Sequence, residues 1–275
     1  MFGRATRHVA STKGAELLRL IVSKSEDAGE RLASRYMPAE SKVHSAYQRQ
    51  YRRRRLRRFL APFVSRGDLV FDIGANVGEW SVVLRSLGCS VVAVEPQSAV
   101  ASRLMHRFAR DSGVVVVPMA VAAAEGEVDL HYADTSSEHA SASTHWMGAT
   151  MTLPRDNWST GVETVHATTI DNLIRIHGHP RFCKIDVEGF ELQALQGLSE
   201  SVPILQFEFH YEILDQLEAC LDRVCTLGSY RFNVSIGERP KLHLGEWAGP
   251  ETLFSIVKHL YPTAWGDVVA RAVSD

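Results

Sequence analysis

The stretch 69-LVFDIGANVGEW-80 constrains this chain more than any other. An apolar, β-branched run ends in an acid, turns through two glycines and enters a helical pattern. Gly74 and Gly78 let the backbone turn sharply and let a ligand approach it closely. The helix that follows offers unpaired N–H groups at its start. The next apolar run, 90-SVVAVE-95, also ends in an acid. A carboxylate at Glu95 can accept hydrogen bonds from both hydroxyls of a ribose. This strand–helix–strand unit therefore reads as a nucleoside-binding crevice at the carboxyl ends of the strands. The plainer alternative is a turn whose glycines only ease packing.

The same alternation continues along the chain. Strands are expected at 114-VVVVPM-119, 126-GEVDLHY-132, 163-ETVHATT-169, 182-FCKIDV-187, 203-PILQFEFH-210, 230-YRFNVS-235 and 252-TLFSIVK-258. Helices are expected over 77–87, 98–110, 170–177, 190–198 and 212–227. Strands alternating with helices predict an α/β fold with a doubly wound, largely parallel sheet buried on both faces. With 45% apolar and 23% charged residues, the 275-residue chain is neither disordered nor collagen-like. Its four cysteines, Cys89, Cys183, Cys220 and Cys225, have no CxxC spacing. That argues against a zinc ribbon or disulfide framework and suits a reducing, cytoplasmic setting. No apolar run approaches the roughly 18 residues of a membrane span.

Charge divides the chain unevenly. Residues 1–66 carry 16 Lys+Arg against 5 Asp+Glu, and the other 209 carry 14 against 27. The expected organisation is a loose terminus over 1–14, a basic helical segment over 15–66 and a catalytic domain over 67–275. In the first helical part, Leu17, Leu18, Ile21 and Val22 fall at helical spacing. In 47-YQRQYRRRRLRRFLAPFV-64, Leu56, Phe59, Leu60 and Phe63 form one apolar stripe and arginines fill the other faces. Such a helix should pack by its stripe, leaving Arg53 and Arg54 in solvent. The charge block also suits an anionic partner, but no RNA-binding motif accompanies it, so it gives no strong nucleic-acid signal.

The glycine turn narrows the ligand. A nicotinamide dinucleotide fingerprint reads GxGxxG, whereas these glycines enclose GANVG. Asp72 adds a carboxylate that suits a cationic ligand end. S-adenosylmethionine has a ribose, an α-amino group and no phosphate, and it fits these features best. An NAD-dependent oxidoreductase and a non-catalytic nucleotide- or nucleic-acid-binding protein are the alternatives.

Two further motifs carry reactive groups. In 184-KIDVEG-189, strand alternation puts Lys184 and Asp186 on one side, with Glu188 leaving in the same sense. In 206-QFEFHYE-212, Gln206, Glu208 and His210 share one side. If the two strands are neighbours, Glu208 meets Lys184 and His210 approaches Asp186. His210 is the candidate general base and Asp186 its orienter. The alternatives are a structural histidine and a charge that merely pairs. Asp186, Glu208 and His210 also suit one divalent ion, although the spacing is not a recognised metal signature. A Ser/Thr/His-rich stretch over 133–161 reads as a long surface loop. It carries His139, Trp146, Met147, Arg155 and Trp158, which suit an acceptor contact, and His145 as a secondary base.

FDIGANVGEWS, the strand ending in Glu95-Pro96, and 184-KIDVEGFELQALQGL-198 together resemble the FkbM-type methyltransferases, a group of class I S-adenosylmethionine-dependent enzymes. The resemblance covers about Gly67 to Val257. It implies a Rossmann-like, seven-stranded sheet with an antiparallel last strand. It also implies O-methylation of a hydroxyl on a sugar, glycoconjugate or other small metabolite. By analogy, Asp72, Gly74, Asn76 and Gly78 would line the methionine side of the cofactor and Glu95 the ribose. Ala120 and Val121 would lie near the adenine.

Overall fold

A computed structural model describes residues 42–132, 140–143, 161–237, 240–260 and 264–273. The expected loose terminus, the helix near Ala15 and the loop residues His139, His145, Trp146, Met147, Arg155 and Trp158 lie outside the described residues. The chain forms two units, residues 1–56 and 57–275.

The described part of the first unit is helical. It belongs to α1 (Lys42–Leu60), which has no acid in its first turn and ends on Arg57 and Arg58. Arg54 is exposed and Arg53 is half-buried. The guanidinium of Arg55 lies 5.6 Å from the Tyr51 ring centroid.

The second unit begins with the last turn of α1, where Phe59 and Leu60 are buried, followed by buried Phe63. Phe59 meets Trp80 edge-on at 6.4 Å and Phe63 meets Phe182 at 6.2 Å, so the part of the expected stripe that lies in this unit does pack. Next come β1 (Leu69–Ile73), α2 (Glu79–Leu87), β2 (Ser90–Val94), α3 (Ser98–Phe108) and β3 (Val114–Val117). Gly88 closes α2 in the left-handed region at φ 92°, and its N–H bonds Arg85 O. Pro118 has no N–H to donate, so the expected strand 114–119 stops at Val117. The chain then enters a second sheet through β4 (Ala120–Val121), β5 (Gly126–Tyr132), β6 (Ala140–Ser141) and β7 (Gly161–Thr168). Thr169 caps α4 (Ile170–His177) by accepting the Asn172 N–H at 3.0 Å.

The main sheet resumes with β8 (Phe182–Ile185), α5 (Glu191–Gln196), β9 (Ile204–His210), α6 (Leu214–Thr226), β10 (Tyr230–Ile236), α7 (Pro250–Lys258) and β11 (Trp265–Ala272). Seven strands run in the order β10-β11-β9-β8-β1-β2-β3, with β11 antiparallel to both neighbours. The four strands of the smaller sheet run β4-β7-β5-β6.

The end of the chain departs from expectation. Residues 252–258 belong to a helix, and the last strand is 265–272. Pro250 occupies the first helical turn, where its missing N–H costs nothing, and Leu253 and Val257 bury one helical face four residues apart. A short run rich in β-branched and aromatic residues suits either state until its neighbours decide.

One face of the main sheet is apolar. Phe71, Ile73, Cys183, Ile185, Leu205 and Phe207 join a buried cluster with Leu173 of α4, Leu195 of α5, Leu217 of α6 and Leu253 of α7. Fully burying one such side chain contributes about 1.5–3 kcal/mol. On the other face, Asp72, Lys184 and Gln206 form one row across β1, β8 and β9. Lys184 lies under Trp80, 5.3 Å from its ring centroid. Polar side chains thus rise through this face toward the carboxyl ends of the parallel strands, where open α/β sheets bind ligands.

Candidate active site

Two neighbouring groups of residues occupy that edge. The first is a crevice lined by Gly74, Asn76, Glu95, Asp186, Glu188 and Phe190, with Ala120, Val121 and Leu130 contributed by the smaller sheet and Ala142 just after its strand β6. Gly74 has φ 73°, and a Cβ there would stand 1.7 Å from the Asp186 carbonyl oxygen. Its glycine lets β1 and β8 leave the sheet side by side. Asn76 also takes a left-handed conformation, φ 47°.

Glu95 is tied at both oxygens. Asn76 N–H donates to Oε2 and Gln97 N–H to Oε1, each at 2.9 Å. Burial raises its pKa, and these two bonds oppose the rise. Each carboxylate oxygen has a second lone pair for a ligand hydroxyl.

Asp72 and Gly78 lie outside the lining. Asp72 is fully buried, accepts the Ser81 hydroxyl at 2.6 Å and stands 3.8 Å from Lys184 Nζ. It supports the turn from behind. A Cβ on Gly78 would meet Leu104 at 2.6 Å and Phe108 at 2.9 Å, so this glycine lets α3 pack against the turn.

The second group stands where β8 and β9 end and the antiparallel β11 begins. Lys184 Nζ donates to Asp186 Oδ2 at 2.8 Å. Burial alone would lower the Lys184 pKa, but the carboxylates of Asp186 and Asp72 more than offset it and hold the ammonium charged. The parallel register sets Lys184 beside Gln206 and leaves Glu208 beyond its reach. Glu208 instead pairs across with Asp267 and, at 3.1 Å, faces His210. Burial lowers the His210 pKa against the pull of Glu188, Glu212 and Asp186, which favours neutral imidazole. Metal-ligating atoms of Glu188, Glu208 and His210 all lie within 4.8 Å of one another. In this set Glu188 takes the place foreseen for Asp186.

The loop between β8 and α5 joins the two groups, and sequence reasoning missed what holds it. Glu188 has φ 52° and Gly189 φ 87°. Buried Glu191 accepts N–H bonds from Val187 at 3.1 Å and Gly189 at 3.2 Å. Gln216 Nε2 donates to Glu191 Oε2 at 3.0 Å and to Gly189 O at 2.8 Å. From the smaller sheet, buried Ser141 donates its hydroxyl to Glu188 O at 2.6 Å. An acid two residues after Gly189 was the available signal for Glu191. Nothing local marks Ser141, Gln216 or Asp267.

A family model described as the methyltransferase FkbM domain matches residues 72–227, more than half of the chain. The chain belongs to the FkbM methyltransferase family. The expected seven-stranded α/β sheet with an antiparallel last strand is the one observed. Similar solved structures include a precorrin-6y C5,15-methyltransferase from Geobacter metallireducens, at 12% identity over 82% of this chain and 86% of that one, TM-score 0.41. An rRNA methylase from Streptococcus thermophilus is 13% identical over 79% of this chain and 94% of that one, TM-score 0.41. A SAM-dependent O-methyltransferase from Thermotoga maritima is 11% identical over 81% of this chain and 65% of that one, TM-score 0.37. No curated protein matches the chain. Among the described residues, no helix is long and apolar enough to cross a membrane.

S-adenosylmethionine is the cofactor expected of this FkbM methyltransferase, and the crevice fits it chemically. Three carboxylates line it, from Glu95, Asp186 and Glu188, and among the described residues no Lys, Arg or His does. Such a lining suits a nucleoside that carries positive charge and is poor for a pyrophosphate.

Proposed function

We propose that this FkbM methyltransferase methylates a hydroxyl oxygen of a sugar, glycoconjugate or other small metabolite in the cytoplasm. The observation that carries the reading is a carboxylate-lined crevice, without Lys, Arg or His among its described lining residues, that includes Asp186 and, in Glu188, a neighbour of His210. When bound, S-adenosylmethionine supplies an electrophilic methyl on a sulfonium whose sulfur leaves as a thioether. The chain supplies position and proton control. Glu95 would bind the ribose, the Gly74–Asn76 turn the methionine side, and Ala120 and Val121 the adenine. Asp72 and Gly78 would keep that turn in shape. Asp186, anchored by Lys184, would orient the acceptor. His210 is the group that draws off the hydroxyl proton.

Titration calorimetry with the full chain tests the cofactor part. S-adenosylhomocysteine should bind one to one, and NAD should give no saturable heat. Saturable NAD binding without S-adenosylhomocysteine binding would return the oxidoreductase reading. Transfer of label from methyl-labelled cofactor to hydroxyl-bearing acceptors, with amine-only analogues silent, tests the oxygen.

A further inference from the structure

We propose that Glu188, Glu208 and His210 hold a divalent cation that carries the acceptor hydroxyl. The proposal deepens the methyltransferase reading and rests on it, because it states how the acceptor hydroxyl loses its proton, with His210 acting through the cation rather than as the base itself.

Geometry is the first argument. The three residues come from the loop after β8 and from the end of β9, yet their ligand atoms converge within 4.8 Å of one another. His210 Nε2 and Glu208 Oε2 are 3.1 Å apart. Two ligands about 2.1 Å from one ion and at right angles to each other stand about 3.0 Å apart. Glu208 Oε2 is enclosed and accepts no hydrogen bond, so this approach is a meeting of two donor atoms without hydrogen-bond alignment.

Charge is the second argument. Among the described residues, the charged groups that act most on Glu208 are Asp186, Glu188, Glu191 and Asp267, all of them carboxylates. The nearby buried ammonium of Lys184 is engaged by Asp186 at 2.8 Å and by Asp72 at 3.8 Å. Enclosed carboxylates crowded in this way need a proton or a cation between them. Two carboxylates and an imidazole suit Mn²⁺ or Mg²⁺. Three protein ligands leave coordination positions open for an acceptor oxygen.

The chemistry closes without another reactant. The cation lowers the pKa of the hydroxyl it binds. The O–H bond breaks and its proton passes to water. The oxygen pair then forms the new O–CH₃ bond, and the methyl–sulfur bond breaks with its electrons staying on sulfur. His210 serves as a ligand in this scheme.

The test uses the full chain, freed of metal by chelation and gel filtration, with Mn²⁺ as the probe. Electron paramagnetic resonance should show one saturable Mn²⁺ site that Mg²⁺ competes for. Glu208→Gln and His210→Gln should each weaken it by about tenfold or more, the scale on which even second-layer partners of a metal act. S-adenosylhomocysteine affinity, measured on the same samples, should stay within about twofold and also reports folding. Absence of saturable Mn²⁺ binding to the wild type at millimolar concentration overturns the proposal. So does unchanged Mn²⁺ affinity in both variants. If either variant fails to fold, Glu188→Gln on the loop decides by its Mn²⁺ affinity alone, because Glu188 also lines the crevice. A wild type that binds Mn²⁺ but not S-adenosylhomocysteine keeps the metal site and removes the methyltransferase reading. The reverse result keeps that reading and removes the metal.

Discussion

The crevice and the proposed acceptor end, the cluster around Glu208 and His210, share one sheet edge but are made differently. The crevice is shaped by backbone: a left-handed Gly74, a left-handed Asn76 and two main-chain N–H groups on Glu95. The acceptor end is a gathering of side chains from β8, β9 and β11, with Glu208 and His210 at its centre. Backbone shape fixes where a ligand lies, whereas clustered charge fixes what happens to a proton. Changes in the first should act on binding and folding. Changes in the second should act on turnover.

His210→Ala gives the largest expected effect and the sharpest form of that contrast. Loss of a group that controls the proton costs roughly 10²–10⁴-fold in turnover. Single-turnover rates should fall by that factor while S-adenosylhomocysteine affinity holds. A variant that keeps full turnover would make His210 structural and erase the division of labour. Gly74→Ala probes the other side. Left-handed backbone costs an alanine about 1–2 kcal/mol, and forcing a Cβ toward the Asp186 carbonyl adds roughly 1–3 kcal/mol. Denaturant unfolding should show the loss, and binding should weaken with it. Unchanged stability would mean that β1 and β8 can part at little cost.

The same contrast explains what the sequence makes legible. The crevice comes from one contiguous stretch, 72-DIGANVG-78, and one strand end, so local pattern is enough. The acceptor end depends on which strands are neighbours. The β8–β9 pairing was anticipated, and with it the nearness of Asp186 and His210 to one edge. Glu208 was expected at Lys184, but the parallel register puts Gln206 there. Asp267 was invisible because residues 252–258 read as the last strand, while the true last strand begins at Trp265. Glu191 and Gln216 show a further limit: a bracket formed across 25 residues leaves no periodic trace.

Glu95→Ala tests the crevice with a smaller effect. Hydrogen bonds to a charged group contribute about 1.5–3 kcal/mol, so S-adenosylhomocysteine affinity should fall by roughly tenfold to a hundredfold. Because Glu95 also holds the Asn76 and Gln97 N–H groups, part of the loss reflects a looser turn. Glu95→Gln can keep one acceptor oxygen and should recover some of the affinity. Equal affinity in wild type and Glu95→Ala would remove the ribose assignment.

The smallest effect is expected at the loop that joins the two regions. Burial raises the Glu191 pKa to about 8, against its own and neighbouring backbone N–H bonds, and Asp186 adds repulsion. A carboxyl whose folded pKa lies above its unfolded value of 4.5 binds its proton more tightly in the native state. Its stabilising contribution is complete below that unfolded value and declines as pH rises toward about 8. The N–H donors of Val187 and Gly189 and the Gln216 amide favour the ionised form and limit the decline. Thermal melts between pH 5 and pH 9 should therefore lose stability with rising pH. Glu191→Gln retains a carbonyl for the N–H donors and does not ionise. It should flatten the curve by on the order of 1 kcal/mol, about 2–4 °C in a domain of this size. If wild type and Glu191→Gln give parallel curves, Glu191 is not the group that titrates. The loop would then be equally firm in both states, and the two regions would be coupled through Ser141 alone or not at all.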